Sequence, residues 1–139
     1  MPEPAREEAE LPHPMRLSTL LFILASVAMS AAAQIVLKLG MNGANIGPSL
    51  GGRRWGEAAW LVVTNPLVGA GLALYFLAAI VWLLVLSRVE VSFAFPFVGI
   101  GFVLTMLMGW LLLGDSLSLA RVAGTLLIAS GVVLIARGG

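Results

Sequence analysis

From Leu17 to Leu37 the chain runs for twenty-one residues without a charge. About 20 apolar residues, each rising 1.5 Å, suffice to cross a ~30 Å hydrocarbon core, so a first membrane span is expected over about 17–40. Its polar positions are ordered. Ser26, Ser30, Gln34 and Lys38 recur every four residues, which ranks them along one slowly drifting helix face. A helix surrounded by lipid has no use for such a face, because hydroxyl and amide groups in hydrocarbon need partners. The pattern predicts a polar stripe turned into a bundle or a wet cavity.

Residues 41–57 are rich in Gly and Asn, contain Pro48 and the pair Arg53–Arg54, and read as a loop. Ala58 to Ser87 is a second uncharged run, thirty residues long and too long for one upright crossing. Asn65–Pro66 divides it, since Pro suits the first turn of a helix and Asn the cap before it. A short interfacial helix is therefore expected over 54–64, with Trp55 and Trp60 at headgroup level, and a second span over 66–87. Arg88-Val89-Glu90 is a tight link that makes spans 2 and 3 antiparallel neighbours. Arg88 and Glu90 read as a solvated turn pair. The third span, 91–113, contains Pro96, Gly99 and Gly101. Pro96 removes a backbone donor and strains the carbonyl of Ser92 four residues earlier, which predicts a bend or a looser segment. Gly114 to Ser118 forms a turn holding Asp115, and Ser118 caps a fourth span over 118–137.

Composition sharpens this outline. The 139 residues are 60% hydrophobic and only 11% charged, against about 45–50% and about 25% in soluble domains. The fold class is an all-α membrane protein of four transmembrane helices with both ends on one side: a tail over 1–16, then a single domain over 17–139. The tail, with four glutamates and four prolines before Leu17, reads as disordered. It lacks the basic start of a signal peptide, and the part before Met15 is expected to be a dispensable extension. A net charge of +1 offers no broad basic surface to nucleic acid. The absence of cysteine removes disulfides and thiol chemistry. His13, between two prolines, reads as solvated. No cofactor, metal cluster or nucleophile–base pair is legible, and Gly99-Ile100-Gly101 lies inside an apolar helix, where it means packing. The eight Lys and Arg residues divide four to each side, so charge asymmetry assigns no orientation.

Three stretches carry a resemblance: Val98-Gly-Ile-Gly-Phe-Val-Leu-Thr-Met-Leu-Met-Gly-Trp110, Gly114-Asp-Ser-Leu, and Gly124-Thr-Leu-Leu-Ile-Ala-Ser-Gly-Val132. They are similar to the last two helices of small multidrug resistance proteins, in the drug/metabolite transporter superfamily. Ala33-Gln34-Ile-Val-Leu-Lys38, Trp82-Leu-Leu-Val-Leu86 and Val91-Ser-Phe-Ala-Phe-Pro96 more closely resemble the aminoarabinose-phosphoundecaprenol flippase subunits of the same fold. The resemblance implies a bacterial inner-membrane transporter acting as a homo- or heterodimer, with Gly124, Leu127 and Gly131 on the dimer stripe. Drug-exporting members carry a membrane-embedded Glu eight residues before the Lys that ends helix 1. Here that position is Ser30, whose hydroxyl cannot exchange a proton near neutral pH. The resemblance thus implies movement of a lipid-linked sugar or similar amphipathic lipid between leaflets.

The residues give the candidate substrate contacts a physical basis. Ser30 and Gln34 can hydrogen-bond a sugar, and Lys38 can meet phosphate as a point charge. Two readings of Lys38 stand side by side: a phosphate receiver, or an anchor whose ammonium reaches up to the headgroups. Ser26 and Ser30 could equally bond carbonyls of their own helix. Arg121, one turn inside span 4, is either functional or likewise reaching for the interface. Asp115 reads as a turn residue near a helix N-terminus. Pro96 and Gly99 are a candidate hinge for alternating access, or a purely structural kink. Trp82 and Trp110 read first as packing or interface residues. Besides lipid flipping, two alternatives remain at this stage: a proton-coupled small-molecule exporter, and a non-transporting partner of a glycosyltransferase or paralogous transporter.

Overall fold

The computed structural model of the chain describes residues 17–44, 46–52 and 54–138. The tail expected over 1–16, with His13, and Arg53 lie outside the described residues. Among the described residues seven helices follow in order: α1 (Leu17–Gly43), α2 (Ile46–Gly51), α3 (Trp55–Thr64), α4 (Pro66–Leu86), α5 (Val91–Ala94), α6 (Val98–Leu113) and α7 (Leu119–Gly138), with a 3₁₀ turn, Phe95–Phe97, joining α5 to α6. Four stretches are long and apolar enough to cross a membrane: Leu17–Gly43, Pro66–Leu86, Val91–Leu113 and Leu119–Arg137. This is an all-α, four-span membrane protein.

The Asn65–Pro66 division falls where expected. Pro66 opens α4, and the Asn65 side-chain oxygen accepts from the backbone N–H groups of Leu67 and Val68. The interfacial stretch is α3, whose Trp55 and Trp60 are both exposed. Two boundaries differ. The first helix continues to Gly43 rather than ending near 40, and the loop expected over 41–57 contains the single turn and a half of α2. The extension has a packing cause: Gly40 lies against α4, where an added Cβ would sit 2.9 Å from the backbone nitrogen of Val68. Burial against a neighbour outweighs the low helix propensity of Gly40 and Gly43.

Helices α1 and α4 form the most extensive pair. Gly71 makes that possible, since a Cβ there would meet Leu37 Cγ at 2.7 Å and the Leu37 backbone nitrogen at 3.1 Å. Small residues of this kind let helix backbones approach in a membrane, where dispersion rather than water exclusion drives association. Helix α6 packs on α1, while α7 touches mainly α6 and the 3₁₀ turn. One core cluster, Ile23, Val85, Ala94, Phe97 and Val132, gathers all four spans at the end nearer the termini. The outer faces carry exposed Leu72, Phe76 and Leu83 on α4 and Leu126, Leu127 and Leu134 on α7, the surface that acyl chains would cover.

At Pro96 the third span breaks. The missing N–H cannot serve the α-helical ladder, and the backbone tightens into the 3₁₀ turn, in which the Val98 N–H reaches the Phe95 carbonyl. The bend expected from sequence is thus a localised change of helix type, pinned from below by Phe97 in the core.

Candidate functional site

The stripe on α1 faces inward along most of its length. Ser26, Ser30 and Gln34 line a cavity of about 210 Å³ together with Tyr75, Ala78, Ala79 and Trp82 of α4 and Val98, Gly101 and Phe102 of α6. Its walls follow from local packing. Ala78 is small and buried, and Gly101 lets α6 close on Val27, where a Cβ would stand at 3.1 Å. Trp82 is held edge-on to Phe95 with ring centroids 6.3 Å apart. The lining residues come from near the middle of α1, α4 and the third span, so the cavity lies at mid-depth. Tyr75 and Phe102 are 48% and 57% exposed and Gln34 is exposed too, which puts the mouth on the flank of the bundle rather than at either end.

The polar groups differ in availability. Ser26 is buried, and its hydroxyl donates to the Ile23 carbonyl at 2.9 Å, the local bond that short hydroxyl side chains form within helices. Ser30 is half-buried and Gln34 more open. No acidic or basic side chain lines the cavity among the described residues. Ser30, at the position where drug exporters of the resembling family carry Glu, is on its wall.

Lys38 leaves the stripe. Four residues advance a helix by slightly more than one turn, a drift of about 40° per step, and three steps from Ser26 carry Lys38 round to the neighbouring groove. There its Nζ donates to both carboxylate oxygens of Asp115, at 2.7 and 2.8 Å, with both side chains a little under half exposed. Asp115 is a turn residue as expected, with an ion-pair partner 77 positions away. Arg121 grips the same loop: its Nη1 donates to the Ser116 carbonyl at 3.0 Å, while the Ser118 hydroxyl accepts from the Arg121 backbone N–H as the expected cap. The two candidate cations thus converge on residues 115 and 116, at one rim of the bundle. Neither lines the cavity.

The remaining candidates are distributed as follows. Pro96 sits in the 3₁₀ turn, two residues before Val98 on the cavity wall, and Gly99 is packed under Ile128 and Val132. Gly124 and Gly131 face open space, with nothing within 4 Å of an added Cβ, and Leu127 is 74% exposed. Arg88 lies over the Phe22 ring at 5.7 Å, and no ion pair joins it to Glu90 among the described residues, so the expected turn pair is replaced by a cation–π contact. Trp82 does double service in core packing and cavity lining, whereas Trp110 is half-exposed. Tyr75 and Phe102 were not legible as site residues. The phenol of Tyr75, the chain's single tyrosine, placed halfway along an apolar span, was the signal that could have marked it.

Fold and site together define a small multi-pass membrane protein with a polar-striped, uncharged cavity opening on its flank and two cations at one rim. No family model matches the chain, and no solved structure matches it. Curated relatives do. The chain is 35% identical over 120 residues, 82% of its length and 93% of the relative's, to a protein of Photorhabdus laumondii subsp. laumondii described as probable 4-amino-4-deoxy-L-arabinose-phosphoundecaprenol flippase subunit ArnF. It is 30% identical over 115 residues, 83% of its length and 94% of the relative's, to the probable ArnE subunit of the same flippase in Pseudomonas paraeruginosa. A probable ArnF subunit from Proteus mirabilis is 28% identical over 84% of the chain and 90% of that protein. The chain belongs to this ArnE/ArnF family of flippase subunits.

Proposed function

We propose that this chain is one subunit of a transporter of the bacterial inner membrane that moves a polyprenyl-phosphate-linked sugar, or a similar amphipathic lipid, between leaflets. The observation that carries the reading is the mid-depth cavity with its mouth on the flank. A lipid carrier must shelter its polar head while its tail stays among the acyl chains, and a flank opening allows both at once. Ser30 and Gln34 would bond sugar hydroxyls, and the rings of Tyr75 and Trp82 would lie against the apolar face of the sugar. Lys38 and Arg121 at the rim would meet the phosphate. The hydroxyl of Ser30 in place of a carboxylate favours this reading over proton-coupled drug export, and the polar stripe along an otherwise apolar cavity favours it over a non-transporting partner role.

A four-helix wall is thin for a complete pathway, and the relatives are described as subunits. The open stripe of Gly124, Leu127 and Gly131 on α7 is the proposed seam, against an identical chain or a paralogue. The 3₁₀ turn at Pro96, with Gly99, is the proposed moving element, since it joins a core-anchored segment to the cavity wall.

Translocation of a fluorescent undecaprenyl-phosphate sugar in reconstituted vesicles tests the site. Losing two hydrogen bonds worth about 0.5–1.5 kcal/mol each should slow the S30A/Q34L variant by roughly fivefold to a hundredfold, with insertion and thermal melting unchanged. Translocation at the wild-type rate would overturn the assignment.

A further inference from the structure

The Lys38–Asp115 pair is built with unusual care for a half-exposed contact. Gly114 turns the chain in the left-handed region at φ +69°, which returns Asp115 toward the end of α6. The Asp115 backbone N–H then donates to the Gly109 carbonyl at 3.1 Å. Gly109 leaves room for the carboxylate, for a Cβ there would stand 2.9 Å from Asp115 Oδ2. Three local features thus present both carboxylate oxygens to one ammonium.

A carboxylate and a phosphate offer a lysine the same thing: paired anionic oxygens at charge-assisted hydrogen-bond distance. Lys38 lies one helical turn, roughly 6 Å along the axis, beyond Gln34 on the cavity wall. A head group seated against Gln34 would therefore bring its phosphate to the ammonium that Asp115 already occupies. We propose that Asp115 is an internal stand-in for the lipid phosphate, holding Lys38 in the empty protein and displaced when the phosphate arrives. Asp115 is in this view a specificity-determining residue. Only a ligand whose anion outcompetes a tethered carboxylate is admitted, and its arrival frees the 114–118 loop on the Lys38 side, leaving Arg121 as the loop's other hold. The inference rests on the flippase reading, but its test measures binding rather than translocation.

The full-length chain is placed in phosphatidylcholine nanodiscs, and binding of undecaprenyl phosphate is measured by quenching of intrinsic tryptophan fluorescence, with melting temperature recorded for each variant. D115N removes the competitor and should tighten binding by roughly twofold to fivefold, the range expected for a partly solvated ion pair. K38Q should abolish binding. The exchanged pair K38D/D115K, which re-forms the bridge, should keep the wild-type melting temperature and still fail to bind. A merely structural bridge would give the reverse: weaker or unchanged binding in D115N and full recovery in the exchanged pair. Either result overturns the proposal, even with wild-type translocation intact. Inorganic phosphate is the competing arm. Equal affinity for it would mean a soluble-anion site and would overturn the assignment to a lipid phosphate.

Discussion

The side-chain amide of Asn65 donates to the carbonyl of Gly40 at 3.0 Å, while its oxygen accepts from the first turn of α4. One residue therefore caps one helix and ties it to another. The two halves of the side chain have separable effects. N65A should destabilise the protein by about 1–2 kcal/mol, the scale of a lost N-cap together with the tie to the Gly40 carbonyl, which keeps its bond from the Ala44 N–H at 3.1 Å. N65D should keep the cap and lose only the tie, so its melting temperature in detergent should fall between those of wild type and N65A.

Close approach of α1 and α4 rests on Gly71 rather than on glycine in general. G71A would press a Cβ into Leu37, including its backbone nitrogen, and should cost about 1–3 kcal/mol, as overpacking does. Gly69, two residues earlier on the same helix, has nothing within 4 Å. G69A should lie within about 0.5 kcal/mol of wild type. Thermal unfolding of the two variants side by side checks the contrast.

Gly131 gives the converse case. A leucine there meets open space in a single copy of the chain, so G131L should leave helicity and melting unchanged at low protein-to-lipid ratio. If α7 is the seam between subunits, the same variant should lose association, read as Förster transfer between labelled copies or between the chain and its paralogue. Transfer equal to wild type would place the seam elsewhere.

Pro96 is the proposed hinge. P96A restores a backbone donor and should stabilise the third span by on the order of 1 kcal/mol, less than the roughly 3 kcal/mol cost of an interior proline because the 3₁₀ turn already relieves part of the strain. If the turn is the moving element, this stiffening should slow translocation even as the melting temperature rises. A faster or unchanged rate would remove the hinge.

Most of the bundle could be read along the chain, for reasons particular residues make plain. Uncharged runs mark spans because charge is costly in hydrocarbon, and Asn65–Pro66 marks a boundary because cap and φ preferences are local. The inner half of the site was legible for the same reason, since Ser30 and Gln34 are conspicuous on an apolar helix. Its outer half was not. On α4 and α6, side chains facing the cavity and side chains facing lipid are alike apolar, so Ala78, Val98 and Phe102 carry no mark of their side. Nor does four-residue spacing reveal where a stripe stops facing inward, because its drift becomes decisive only against a neighbour. That neighbour was Asp115, whose pairing with Lys38 depends on a fold that returns the chain to the same rim.

Among the described residues, helix α7 contributes a single buried residue, Val132, to its own bundle. It also emerges after the other three described spans during synthesis, when those segments have already begun to fold. The helix made after its three siblings is the one they need least, and if α7 is the seam it is at liberty to settle on its own α6 or on that of an adjoining chain. If α7 is the seam, its exchange between chains would be a low-cost route to assembly.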